Sequence, residues 1–275
     1  MFDAFLTERK YLKGVSPKTI IAYETAFKAF SGCESREQII ERIKELRERG
    51  VSATSVNCYL RHLNAYLKWK EAGFKIPKLK EEQKLLPVLS ADMVGRILKF
   101  SPRGVNATRA HLIALVILDT GLRISEVLGL TKEDVDFDQL TLRVLGKGGK
   151  HRVVPFSPDL RKHLFRFSNR TNRMPNNILA TRYLFGTKNN TKLTVRNFHR
   201  DLQKLGKQIG ITFKGPHALR HSFAVLFLSN GGDLFQLSRI LGHSDIRVTA
   251  VYLRSLGMDA LQETHRRVSP LSRLR

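Results

Sequence analysis

Residues 140–156 read LTLRVLGKGGKHRVVPF, and they are where this chain leaves helical patterning for extended patterning. The runs Leu140–Leu145 and Arg152–Phe156 are rich in β-formers and flank a glycine-rich turn, which predicts an antiparallel hairpin. Lys147 and Lys150 sit in that turn. GKGGK lacks the spacing and the Ser/Thr of a nucleotide-binding loop, and it joins two strands instead of opening a helix, so it does not qualify as one. Around the hairpin the pattern is helical. The predicted fold class is therefore mainly α with a small β-hairpin, an α+β arrangement.

Upstream of the hairpin, helices are predicted around 91–100, 108–120 and 124–130, with Gly121 stopping the second. Downstream come a helix capped by Ser157-Pro158, a short apolar piece Tyr183–Phe185, and helices around 195–209, 217–229, 233–241 and 245–254. The first third has helix starts of its own. Ser16-Pro17 is an N-cap followed by proline at the first helical position, Ser35 with Gln38 forms a capping box, and Ser52 opens a long basic helix ending near Gly73. Between 74 and 89 two prolines and alternating charges suit an exposed linker. These features predict a helical domain over 1–80 and a second domain over 81–275, without internal repeats.

The chain has 275 residues, 42% of them hydrophobic, enough for a sizeable core. Its 48 Lys and Arg against 24 Asp and Glu give a formal charge of +24, spread along the sequence. Such a surface collects free energy from a polyanion by displacing counterions, and nucleic acid is the expected partner. A membrane is not: the longest apolar run, Leu112–Leu118, is far short of the ~20 residues of a bilayer span. The amino-terminal MFDAFLTERK has no apolar core followed by small residues, so neither signal peptide nor anchor is expected, and the protein is placed in the cytoplasm. Cys33 and Cys58 fit no metal spacing and are expected as reduced thiols.

The chemistry is sought in the last helices. In HALRH, His217 and Arg220 are three apart and are predicted to share one face, with Leu219, Phe223 and Leu226 roughly opposite. Gly242 ends the next helix, His243 sits in the joint, and Ser244 is predicted to cap a helix carrying Tyr252. His217 and His221 are spaced like metal ligands, but the glutamate of a zinc protease helix is missing and no third ligand is evident, so no metal is expected. The remaining groups fit attack of a tyrosine hydroxyl on a DNA phosphodiester. Negative charge then builds on the nonbridging oxygens, which two guanidinium groups can bind, and Arg123 and Arg220 are the candidates. A phenol with pKa near 10 needs a base, for which His217 is favoured. The leaving 5′ oxygen needs a proton, which a lysine at the hairpin tip can supply: Lys147, with Lys150 as the alternative. Neither metal nor any other cofactor is called for.

Four stretches then resemble one family, the tyrosine recombinases or phage integrases, and within it the compact Xer-like members. TGLRISEVLGL around Arg123 is similar to its first arginine box, LGKGGKHRVVP to its hairpin lysine motif, HALRHSFAVLFLSNG to its His-x-x-Arg box, and LGHSDIRVTAVYLR to its closing His and Tyr box. SPKTIIAYETAFKAF and SATSVNCYLRHLNAYLKW resemble its helical core-binding domain. The resemblance implies Arg123, Lys147, His217, Arg220 and His243 as the activating set, Tyr252 as nucleophile and Glu126 as a supporting carboxylate. It implies a 3′-phosphotyrosyl intermediate, a freed 5′ hydroxyl, and strand exchange through a Holliday junction without ATP. The partner is then double-stranded DNA with paired inverted half-sites, clamped between the two domains. Segment 256–275 is expected to dock on a neighbouring subunit of a homotetramer, its packing on its own domain being the alternative. No amino-terminal arm-binding domain is expected, which leaves control to possible accessory proteins. A type IB topoisomerase and a catalytically silent DNA-binding regulator of the same fold are the competing functions, and a metal-dependent nuclease or peptidase built on His217 and His221 is a third.

Overall fold

A computed structural model describes residues 1–82, 86–146, 149–172, 182–187, 189, 191–258, 262, 265–266, 269 and 271. Lys147 and much of segment 256–275 lie outside these residues. The chain divides into two compact units, 1–84 and 85–275.

The first unit begins with α1 (Phe2–Thr7), which runs into a π-helical turn (Glu8–Leu12), and continues with α2 (Pro17–Ala29), α3 (Arg36–Glu48) and α4 (Ala53–Trp69). The starts follow the sequence signals. Ser16 accepts from the Thr19 N–H with Pro17 at the first position, Ser35 and Gln38 form the reciprocal box, and Ser52 accepts from the Ser55 N–H. Phe30, Ile39, Val56, Leu60, Leu63 and Leu67 make a buried core. The stretch after α4 is exposed at Lys75, Pro77, Lys78 and Lys80 as expected of a linker, but Ile76 and Leu79 tie it down. Ile76 is buried in that core, Asn64 pairs with both backbone groups of Ile76, and Asn57 pairs with both of Leu79. Two asparagines thus supply what a strand partner would otherwise give, and an extended segment packs down although it lacks a periodic pattern.

The second unit contains α5 (Ala91–Lys99), α6 (Val105–Thr120), α7 (Ile124–Val127), β1 (Val135–Asp136), β2 (Thr141–Leu145), β3 (His151–Pro155), α8 (Pro158–Asn172), α9 (Val195–Ile209), α10 (Pro216–Ser229), α11 (Leu234–Leu241) and α12 (Arg247–Ala250), followed by a 3-10 turn (Val251–Ser255). The strands form one antiparallel sheet in the order β1-β2-β3, with Val144 opposite Arg152 and Leu142 opposite Val154. Leu142, Val144 and Val154 point into the core, while Arg143, Leu145 and Val153 are exposed. The predicted α+β class is therefore found, largely helical with one small sheet.

HLIALVIL in α6 has no polar stripe, and the helix is buried nearly all round, as such a sequence requires. It packs against α8, α9 and α10. Two expectations fail on this side. α10 does not present a polar face from an apolar anchor: Arg220, Ser222 and the apolar Ala218, Leu219, Phe223, Ala224 and Val225 are all buried, because α10 lies against α6, α11 and the 3-10 turn, and only His217 at its start is exposed. Nor does Ser244 cap one helix from 245 to 254. The Asp245 side chain accepts the Arg247 N–H at 2.9 Å and starts a single α-helical turn, so Tyr252 falls in the 3-10 turn that follows.

Candidate active site

Gly121 ends α6 in the left-handed conformation with φ +64°. A side chain there is excluded, since a Cβ would lie 2.3 Å from the Phe223 ring. The reversal places Arg123 at the start of α7, where Glu126 accepts its backbone N–H at 2.9 Å and its guanidinium at 3.0 Å. Arg152 from β3 reaches the same carboxylate with both terminal nitrogens, at 3.0 and 2.9 Å. Two-point geometry makes this a strong charge-assisted pair, and the Glu126 side chain is only 7% exposed. Burial tends to raise the Glu126 pKa. The Arg152 fork and the Arg123 bonds outweigh it and hold the carboxyl below its ordinary value.

The other arginine anchor is the end of α11. The last carbonyls of a helix lack partners within it and sit at the negative end of its dipole, which favours cations. Ile240 O accepts from Arg152 Nε at 3.2 Å, and Leu241 O from Arg220 at 3.1 Å and Arg123 at 3.4 Å. Gly242 then turns the chain with φ +66°, and a Cβ there would lie 2.9 Å from the Arg152 guanidinium. Three guanidinium groups from α7, β3 and α10 thus converge on one helix terminus.

Arg220 is 4% exposed. It donates to Gly121 O at 2.6 Å, to Leu241 O, and to His243 Nε2 at 2.9 Å, and Tyr252 is near enough to act on its charge. No carboxylate among the described residues is in salt-bridge contact with it. Burial, reinforced by the neighbouring Arg123, lowers its pKa to about 10, which leaves it cationic at neutral pH. Because arginine only donates, His243 Nε2 accepts, so the neutral ring carries its proton on Nδ1 and gives it to Thr249 Oγ1 at 2.8 Å. Burial, then Arg220, Arg123 and Arg152, pushes the His243 pKa down to about 4.

Tyr252 is 5% exposed, and its hydroxyl is 3.2 Å from His221 Nδ1. His217, one turn earlier, is exposed, with its ring 6.2 Å from that of His221. The structure thus gathers Arg123, Glu126, Arg220, His243 and Tyr252. His217 stays at the edge of the group, and Lys147 lies outside the described residues. Lys150 is exposed and lines, with Arg123, Ser125, Glu126, Arg152 and His243, an open cleft of about 910 Å³. Arg220 and Tyr252 are not among the residues that line it.

Three participants escape the sequence patterns. Arg152 stands in a strand opposite the core residue Val144, and a cation at an inward position was the available signal. His221 has the helical spacing of a metal ligand to His217, which drew attention from its contact with Tyr252. Thr249, fully buried, carries no signal in the sequence.

Comparison with known proteins bears on the same residues. Residues 87–257 match the model of the phage integrase family. Tyrosine recombinase XerA of Pyrococcus furiosus is 31% identical over 251 residues, which span 88% of this chain and 85% of that protein. The crystal structure of XerA recombinase aligns with a TM-score of 0.56 at 26% identity, over 98% of this chain and 99% of that one. The Tn1549 transposon integrase in complex with transposon right end DNA aligns with a TM-score of 0.76 at 19% identity, over 96% and 97%, and bears on the fold alone.

Proposed function

This chain belongs to the phage integrase family and is a site-specific tyrosine recombinase, and from that premise we propose that Tyr252 attacks a DNA phosphodiester to form a 3′-phosphotyrosyl link. The single observation that carries the assignment is Arg220: a buried guanidinium held by neutral acceptors, in salt-bridge contact with no carboxylate among the described residues, with a tyrosine hydroxyl beside it. A buried cation without an anion is costly, and the group that relieves the cost is a phosphate.

In this mechanism Arg220 and Arg123 hold the nonbridging oxygens, and both are aimed before DNA arrives, one by carbonyls and one by Glu126. Arg152 fixes Glu126. His243 buttresses Arg220 and, kept neutral, adds no charge of its own. His217, exposed at the start of α10, donates to the same phosphate. Lys147 protonates the leaving 5′ oxygen. The cationic side chains take the part that magnesium takes elsewhere, and the phosphotyrosyl bond keeps the energy for rejoining, so neither metal nor ATP is consumed.

The substrate is double-stranded DNA with two inverted half-sites around a short spacer. A homotetramer on two such sites exchanges strands through a Holliday junction, with segment 256–275 docked on a neighbour. The basic helical unit 1–84 contributes contacts to the DNA backbone. The protein works in the cytoplasm on DNA; among the described residues no helix is long and apolar enough to cross a membrane.

The DNA flanking the gene is searched for an inverted repeat of two half-sites around a short spacer, and nicked duplexes bearing it are tested with EDTA present. The native protein is expected to form a detergent-resistant protein–DNA adduct. Tyr252→Phe is expected to retard the same DNA and form none, and an adduct in that variant contradicts the assignment.

A further inference from the structure

The Tyr252 hydroxyl has two neighbours of opposite hydrogen-bonding character. Arg220, a nearby cation, can only donate and so offers no acceptor for the phenol proton. The O–H is then free to point at one partner, His221 Nδ1, 3.2 Å away. Nδ1 is an acceptor only in the neutral ring that carries its proton on Nε2. The surroundings favour that form: burial, then His217 and Arg220, holds His221 below the ordinary histidine pKa. His221 is half-buried on α10, one residue from Arg220 and one turn from His217, and Tyr252 comes to it from the 3-10 turn packed against that helix. Arg220 and His221 therefore flank the phenol as an adjacent pair, one able to stabilise a phenolate and the other able to receive the proton. His217, the base favoured by its spacing to Arg220, has no comparable contact with the hydroxyl among the described residues.

We propose that His221, and not His217, is the catalytic base that takes the Tyr252 proton. This inference rests on the assignment of Tyr252 as nucleophile. In the step, the phenol O–H bond breaks and its proton passes to His221 Nδ1. The oxygen electron pair forms the new bond to phosphorus, and the bond to the 5′ oxygen breaks with its electrons going to that oxygen, which is protonated by the cationic donor of the site. On rejoining, the 5′ hydroxyl gives its proton back to that donor and attacks phosphorus, the bond to the Tyr252 oxygen breaks, and that oxygen recovers its proton from the His221 imidazolium. No other reagent is needed.

The test is single-turnover cleavage of a nicked duplex, with DNA binding and thermal unfolding followed on the same preparations. His221→Ala is expected to lower the cleavage rate ~10²- to 10⁴-fold, the usual range for a lost acid–base group, with DNA binding retained. His221→Asn keeps a side chain that can hydrogen-bond the hydroxyl but cannot take its proton, and it is expected to stay as slow. Should the alanine variant fail to fold, the asparagine variant carries the test alone. Placing 3,5-difluorotyrosine at 252 lowers the phenol pKa and is expected to restore most of the lost rate in either variant. Native-like cleavage by His221→Asn, or no recovery with the fluorinated phenol, overturns the proposal. Absence of an adduct with the native protein instead defeats the assignment of Tyr252, so the two failures are told apart.

Discussion

The two sides of this site solve the problem of holding arginines in different ways. On the cleft side, Arg123 and Arg152 share the Glu126 carboxylate, so two cations are offset by one anion at contact distance. On the buried side, Arg220 is held by two backbone carbonyls and a neutral histidine, which orient it without cancelling its charge. A charge can afford to be open to the cleft if it is partly neutralised there, and can stay unneutralised only where a fixed shell of dipoles surrounds it. The cleft side is thus suited to drawing DNA in, and the buried side to meeting a phosphate whose position is already set.

Five experiments probe that contrast. The largest effect is expected where an ion pair is broken. Arg152→Ala leaves Glu126 buried with a single partner and should cost about 3–5 kcal/mol of stability, read from chemical denaturation. Arg152→Lys should recover only part of it, because an ammonium cannot reproduce the fork. Next, Arg220→Lys should lower cleavage ~10²- to 10³-fold, as loss of one preorganised donor does, with a smaller loss of DNA affinity. An equal fall in affinity and rate would mean that Arg220 only anchors DNA.

Smaller effects belong to His243 and the rim. Thr249→Val removes the acceptor for His243 Nδ1–H and should cost about 1 kcal/mol. The same histidine makes stability depend on pH. Its folded pKa, about 4, lies below the unfolded value of about 6.5, so the unfolded chain binds the proton first. Its contribution is complete above pH 6.5 and is lost as pH falls toward 4. The native protein should therefore lose Tm across that window more steeply than His243→Asn, and parallel curves would contradict the burial of a neutral ring. Lys150→Ala is expected to leave stability within about 0.5 kcal/mol of native, and to reduce the salt dependence of DNA binding by a slope of about 0.9 if the lysine meets one phosphate.

The contrast also marks what a sequence can tell. The hairpin, the helix starts at Ser16, Ser35 and Ser52, and the reversals at Gly121 and Gly242 were legible, because each is fixed by local rules of capping, turn geometry and alternation. Arg123, Arg220 and Tyr252 were legible only as members of an ordered set, because a single arginine or tyrosine in a basic chain is usually a surface charge or a satisfied core group. What stayed hidden is long-range. Helical period alone cannot say that α10 is covered on every side, that Arg152 crosses to Glu126, 26 positions away, or that Tyr252 meets the second histidine of HALRH and not the first. The segment around Ile76 was hidden for a related reason: asparagine side chains, and not a sequence period, pack it down.

The central claim, that Tyr252 carries the DNA, is open to one direct measurement. The native protein is trapped on a nicked duplex, digested with protease and nuclease, and the modified peptide is fragmented by mass spectrometry. A nucleotide joined through its 3′ phosphate to Tyr252 is expected. A nucleotide on any other residue, or cleavage with no covalent peptide, contradicts that claim.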